Sequence, residues 1–119
     1  MRLTEELRLR CKSYASKVIR FYARLPKGEK AVEVLGLQLL RSGTSVAAHS
    51  REASRARSPA EFCSKLDGLL QEADESQLGL ELLTEDCNIS DEKTAPLLQE
   101  TSEILAVFTT IVSRSRNLP

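Results

Sequence analysis

The chain has 119 residues, enough for one core and one domain, and its 17 Lys and Arg are balanced by 17 Asp and Glu. Aromatic residues make up 4% and Trp is absent, so the core must be aliphatic; three cysteines (Cys11, Cys63, Cys87), odd in number and without a CxxC, argue against a disulfide framework or zinc site. The start MRLTEELRLR lacks the apolar run of a signal peptide and no stretch approaches the roughly 20 apolar residues of a membrane span, so the expectation is a reduced cytoplasmic protein with no membrane partner.

The charge is balanced but not evenly spread. Residues 1–57 hold 13 Lys and Arg against 5 Asp and Glu, whereas residues 58–119 hold 4 against 12. An excess of eight positive charges therefore gives way to an excess of eight negative ones at Ser58. Two readings follow. A basic helical hairpin packs on an acidic one with both faces solvated, or the basic hairpin presents a patch to an anionic partner, foremost nucleic acid.

In the first segment Leu7, Cys11, Tyr14, Val18, Phe21 and Leu25 recur at steps of 4 and 3, one apolar stripe on a helix over 4–24. Arg10, Lys17 and Arg24 recur every seven residues beside it. This basic ladder either covers the edge of the core or meets phosphates. Pro26-Lys27-Gly28 ends the helix, because Pro cannot continue it and Gly readily turns. A second helix is predicted over 29–54, with Leu35, Leu39, Ser42, Val46, His49 and Ala53 facing inward. Its middle, Ser42-Gly43-Thr44-Ser45-Val46-Ala47-Ala48, is nearly all small residues, and Gly43 alone costs about 1 kcal/mol relative to Ala. Close approach of a neighbouring helix is the expected compensation. Arg41, Ser45, His49 and Glu52 lie near one another on this helix, a polar line expected to hydrogen-bond an adjacent helix or subunit.

Ser54-Arg55-Ala56-Arg57 is a short basic connection, and Arg55 and Arg57 join Arg10, Lys17 and Arg24 as candidate nucleic-acid contacts. At Ser58-Pro59-Ala60-Glu61 three start signals coincide: an N-cap Ser, a Pro at the first helical position and a Glu completing a capping box. The helix they open, over 59–85, carries Phe62, Leu66, Leu69, Ala73, Ser76, Leu80 and Leu83 as its stripe. Leu78 and Leu82 stand off that stripe on an acidic face and form a candidate subunit contact. Asp67, Asp74 and Glu81 repeat every seven residues as an acidic ladder. After a turn over 85–89, Ser90 is expected to cap a helix over 91–115, with Asp91 and Glu92 at its positive end and Arg114 and Arg116 at its negative end. Pro96 predicts either a kinked first turn or a regular helix beginning near Thr94. Leu97, Thr101, Ile104, Phe108 and Ile111 face inward. Four long helices joined by short turns predict an all-α, up-down-up-down antiparallel four-helix bundle, with residues 1–119 as a single domain.

The residues assign no reaction, and no catalytic, cofactor-binding or metal-binding residue is expected. A di-iron bundle needs Glu-x-x-His from two helices; this chain has one His, and His49-Ser50-Arg51-Glu52 runs in reverse order. Ser45, His49 and Glu52 share a face and outline a nucleophile, base and orienter, the lesser alternative, but neither an oxyanion site nor a cleft is indicated. No Gly-rich phosphate loop is present. Cys63 reads as a small hydrophobe.

The run from Leu35 to Leu83 carries a resemblance. Its pieces are Gln38-Leu39, Arg41-Ser42, Thr44-Ser45-Val46-Ala47-Ala48, Arg51-Glu52-Ala53, Ser58-x-x-Glu61-Phe62, Lys65-Leu66 and Glu72-Ala73-x-Glu75. In these the chain resembles the bacterial four-helix-bundle family named for intervening sequences of 23S ribosomal RNA genes. His49 stands where that family usually has Asn. The resemblance implies a ring-shaped homopentamer without a catalytic site, assembled here through the second and third helices. A related branch serves reverse transcriptases of diversity-generating retroelements as an accessory subunit, so the implied partners are further copies of the chain, RNA, or a nucleic-acid-processing protein.

Overall fold

The protein is described here by a computed structural model covering residues 2–117. Four helices account for nearly all of it: α1 (Glu5–Ala23), α2 (Lys30–Ser54), α3 (Pro59–Asp86) and α4 (Asp91–Arg116). No strand occurs among the described residues. Each helix packs on its chain neighbours, α4 returns to α1, and the diagonal pairs stay apart. With the short connections, this is an antiparallel up-down-up-down bundle, 52 × 21 × 19 Å. The α2–α3 interface is the most extensive and the α1–α4 interface the sparsest.

The helix ends follow the punctuation in the sequence, with two exceptions, and at α3 the Glu61 carboxylate does not return the capping-box bond to the Ser58 N–H. Thr4 Oγ1 accepts the Leu7 N–H at 3.2 Å, and Ser58 Oγ accepts that of Glu61 at 3.1 Å, with Pro59 opening α3. Between α1 and α2, Gly28 has φ of 102°, a left-handed conformation that glycine enters without a Cβ penalty. Asn88 takes the same region, at 60°, and turns the Ile89 N–H back onto the Leu83 carbonyl at 3.1 Å. The first exception is Ser90. It occupies the N-cap position, but its side chain makes no capping bond, and its carbonyl instead receives the N–H groups of Lys93 and Thr94. The second is Pro96, around which the helix is continuous from Asp91, so the delayed start near Thr94 does not occur. Pro96 lacks an N–H for the Glu92 carbonyl, but packing of Thr94 and Leu97 into the core holds the turn around it.

All seven predicted inward positions of α3 are buried. On α2 the stripe is rotated. Gly36, Gly43 and Ser50 are buried with Val32, Leu39, Ser42, Val46 and Ala53, whereas Leu35 and His49 are half-buried. The reason is glycine. A Cβ on Gly43 would lie 2.7 Å from Val18 Cγ2, and one on Gly36 would lie 2.9 Å from Leu25 Cδ1. The α1 side chains thus sit directly on the α2 backbone, which brings the two helices close and buries the glycine face.

One core layer is polar and draws on all four helices. Tyr14 (α1) meets Thr101 (α4), hydroxyl to hydroxyl, at 2.6 Å, and Ser42 (α2) meets Ser76 (α3) at 2.7 Å; all four residues are buried. Thr101 donates its proton to the Leu97 carbonyl at 2.6 Å, so Tyr14 is the donor to Thr101. Ser76 also bonds the Glu72 carbonyl at 2.9 Å. Ser42, Ser76 and Thr101 also bond carbonyls of their own helices, but the Tyr14–Thr101 and Ser42–Ser76 bonds form only in this register, so the layer opposes sliding of one helix past another.

Candidate functional site

The polar line on α2 divides between its own helix and α3. Arg41 reaches across to α3, 3.1 Å from Glu72 and 2.6 Å from Glu75. Ser45 donates its hydroxyl to the Arg41 carbonyl at 2.8 Å and also stands beside the Glu72 carboxylate of α3. The His49 ring covers Gly68 of α3, where a Cβ would come within 2.9 Å of it. Glu52 Oε1 lies 2.9 Å from His49 Nδ1 but off the ring's N–H direction, so the pair is in ion-pair range without a hydrogen bond, and Nδ1 has no hydrogen-bond partner. Lys65 of α3 approaches Glu52 at 3.9 Å. His49 makes no hydrogen bond to a neighbouring helix, because its ring is used for packing on Gly68, whereas Ser45 is bonded within α2 and lies beside Glu72 of α3. Among the described residues no cluster of His, Cys, Asp or Glu could hold a metal ion.

The basic residues separate into three groups. Arg10 is turned inward. Its guanidinium takes Glu100 of α4 in a two-point grip at 2.9 Å and Glu103 at 2.7 Å, and the hydrogen bond to Glu100 holds the proton on Arg10 more firmly than usual. Three of its five N–H donors are thus taken by carboxylates, which leaves Arg10 the least available of the candidate phosphate contacts. Lys17 and Arg24 remain exposed, and with Arg20 and Lys93 they rim a groove of about 530 Å³ between the end of α1 and the start of α4.

The third group lies at the opposite end. Arg55 lines a cleft of about 370 Å³ together with Arg2, Arg8 and Arg51, and no carboxylate is among the lining residues. None of these four arginines is in an ion pair among the described residues. Arg57 is exposed on the adjoining connection. The sequence reading did not include Arg2, Arg8 or Arg51. The available signal was Arg51 and Arg55 at i and i+4, like charges on one helix face that destabilise a helix by a few tenths of a kcal/mol and so ask for an anion nearby.

Leu78 is 55% exposed, and with Leu82 and Leu35 it lines a further cleft between α2 and α3. Val34 and Leu37 are also exposed on α2, Leu37 beside Tyr22 and Leu25 on the α1 side. Among the described residues no helix is long and apolar enough to cross a membrane. Among the described residues, ion pairs between the charged halves are few: Arg10 to Glu100 and Glu103 of α4, Arg41 to Glu72 and Glu75 of α3, and Glu52 more loosely to Lys65 of α3, whereas Arg116–Asp67 lies within the acidic half.

Fold and surfaces together define an all-α four-helix-bundle protein whose distinguishing features are a buried polar layer and two clusters of cations. The chain belongs to the 23S rRNA-intervening sequence protein family, whose sequence profile matches residues 6–110. It is also similar to a crystal structure from Bacteroides thetaiotaomicron, a protein with unknown function from the S23 ribosomal protein family. The two are 33% identical with a TM-score of 0.81, over 89% of this chain and 94% of that one. No curated protein matches the chain.

Proposed function

We propose that the chain is a non-enzymatic, self-associating bundle that holds RNA by its phosphates at the arginine-lined end of the α1–α2 hairpin. The observation that carries this is the convergence of Arg2, Arg8, Arg51 and Arg55 on one cleft without a carboxylate. Guanidinium groups grip phosphate oxygens in pairs, and an anion there relieves their mutual repulsion. Arg57 lies on the connection beside the cleft. The family's name, which refers to an rRNA intervening sequence, supports RNA as the anion. Self-association is supported by the exposed Leu78 beside Leu82 and Leu35, and the resemblance sets the expected copy number at five. The absence of catalysis is supported by Ser45, whose hydroxyl donates to the Arg41 carbonyl on its own helix.

The test is fluorescence anisotropy with a labelled structured RNA at low salt, comparing the wild type with Arg51→Gln/Arg55→Gln. Loss of two phosphate contacts weakens binding by at least about tenfold. Equal binding by both proteins, or none by the wild type, removes the reading. Light scattering of Leu78→Glu against the wild type tests self-association separately, with a smaller particle expected for the variant.

A further inference from the structure

The groove at the other end of the bundle is a different kind of place. Its floor is made by Phe21 and Leu25 of the α1 end, Ile89 before α4, and Pro96 and Leu97 of α4. Leu25, Ile89 and Leu97 are recessed, with 9% or less of their surface exposed. Lys17, Arg20, Arg24 and Lys93 stand around this floor with a single acid, Glu92. None of the four cations is in an ion pair among the described residues. The groove opens where α1 and α4 pack most sparsely.

We propose that this groove binds a small free amphipathic anion, an acyl or aryl carboxylate or phosphate, with its apolar body on the floor and its charged head among the cations. The chemistry narrows the class from three sides. An apolar floor of this kind releases water when a hydrocarbon body covers it, and pockets for small molecules combine such floors with a few charged groups at the edge. Four cations against one acid select a negative head, and Arg20 and Arg24 can each present two donors to it. The recessed floor also lies out of reach of a flat bilayer, which would need apolar side chains projecting outward. The proposal stands apart from RNA binding, which is assigned to the arginines at the opposite end.

The experiment is an amide NMR titration of the whole chain with octanoate, with octan-1-ol as the uncharged counterpart and phosphatidylglycerol vesicles as the lipid source. Octanoate is expected to shift amides on both walls of the groove, in residues 17–25 and 89–97, and octanol to bind at least about tenfold more weakly. Arg20→Gln/Lys93→Gln, two exposed positions whose folding is checked by circular dichroism, is expected to weaken octanoate by a similar factor while leaving octanol unchanged. Equal affinity for octanol, shifts confined to other helices, an unaffected double variant, or binding to vesicles but not to octanoate would each overturn the proposal.

Discussion

Substituting alanine at two helical glycines should move stability in opposite directions. Each Gly→Ala change in a helix interior gains about 1 kcal/mol in propensity, whatever surrounds it. At Gly79 the nearest atom to a new Cβ is Leu39 Cβ at 3.9 Å, an ordinary contact, so the gain is kept. At Gly43 the new methyl lies 2.7 and 2.8 Å from the two γ-methyls of Val18 and 3.0 Å from its Cβ. Val18 is fully buried, and a β-branched side chain in a helix has one strongly preferred rotamer, so it cannot swing aside. Overpacking of this kind costs about 1–3 kcal/mol, which cancels or exceeds the propensity gain. At about 4 °C per kcal/mol for a domain of this size, Gly79→Ala should raise the melting temperature by about 2–4 °C. Gly43→Ala should lower it by up to about 8 °C. Thermal unfolding by circular dichroism reads both. Adding Val18→Ala removes the clash, so the double variant with Gly43→Ala should be more stable than the sum of single effects by about 1 kcal/mol or more. If Gly43→Ala stabilises as much as Gly79→Ala, or the two α1–α2 changes are additive, the close helix approach is refuted.

Three further outcomes follow from named contacts. Hydrogen bonds from Gln99 and then Arg10 hold the Glu103 carboxyl below its ordinary value of 4.5. A folded-state value below the unfolded one stabilises above the unfolded value and is lost as pH falls through the folded one, so thermal stability should drop below about pH 4.5 and drop less in Glu103→Gln. Burial pushes the Cys11 thiol up to about 11, and its side chain is fully enclosed, whereas Cys87 is partly exposed. Iodoacetamide under native conditions should therefore label Cys87 first, and Cys11 only on global unfolding; early Cys11 labelling would contradict the packing of α1. In the polar layer, Thr101→Val leaves the Tyr14 hydroxyl without its acceptor and should cost about 1–3 kcal/mol. Tyr14→Phe should cost only about 1 kcal/mol, because Thr101 keeps its bond to Leu97, and urea unfolding that gives the reverse order would reassign the donor.

The bundle was legible because apolar residues recur at helical spacing over four long segments and Gly, Pro, Ser and Thr punctuate their ends. Ser58-Pro59 marked the start of α3 as the structure has it, and its inward stripe needed no adjustment. The α2 stripe was less legible. Periodicity counts side chains, and the buried face there is made partly by Gly36 and Gly43, which have none. Ser42, Ser76, Thr101 and Tyr14 were each placed inward, but that they form one layer depends on the relative heights of four helices, which no single-helix pattern contains. The basic surface was legible as a charge excess and not as a site. Arg10 sits on the same heptad ladder as Lys17 and Arg24, yet only Arg10 faces Glu100 and Glu103, residues about ninety positions away in the chain. Arg2, Arg8 and Arg51 became candidates only when the ends of α1 and α2 were seen to converge on one cleft with Arg55.

The salt dependence of RNA binding tests the functional reading most directly. Four arginine–phosphate contacts predict that the logarithm of the binding constant falls against the logarithm of salt concentration with a slope of about −3 to −4. Arg51→Gln/Arg55→Gln should make that slope shallower by about one for each contact removed. RNA binding that is insensitive to salt, or a slope unchanged in the double variant, would contradict phosphate recognition by the arginine end of the bundle.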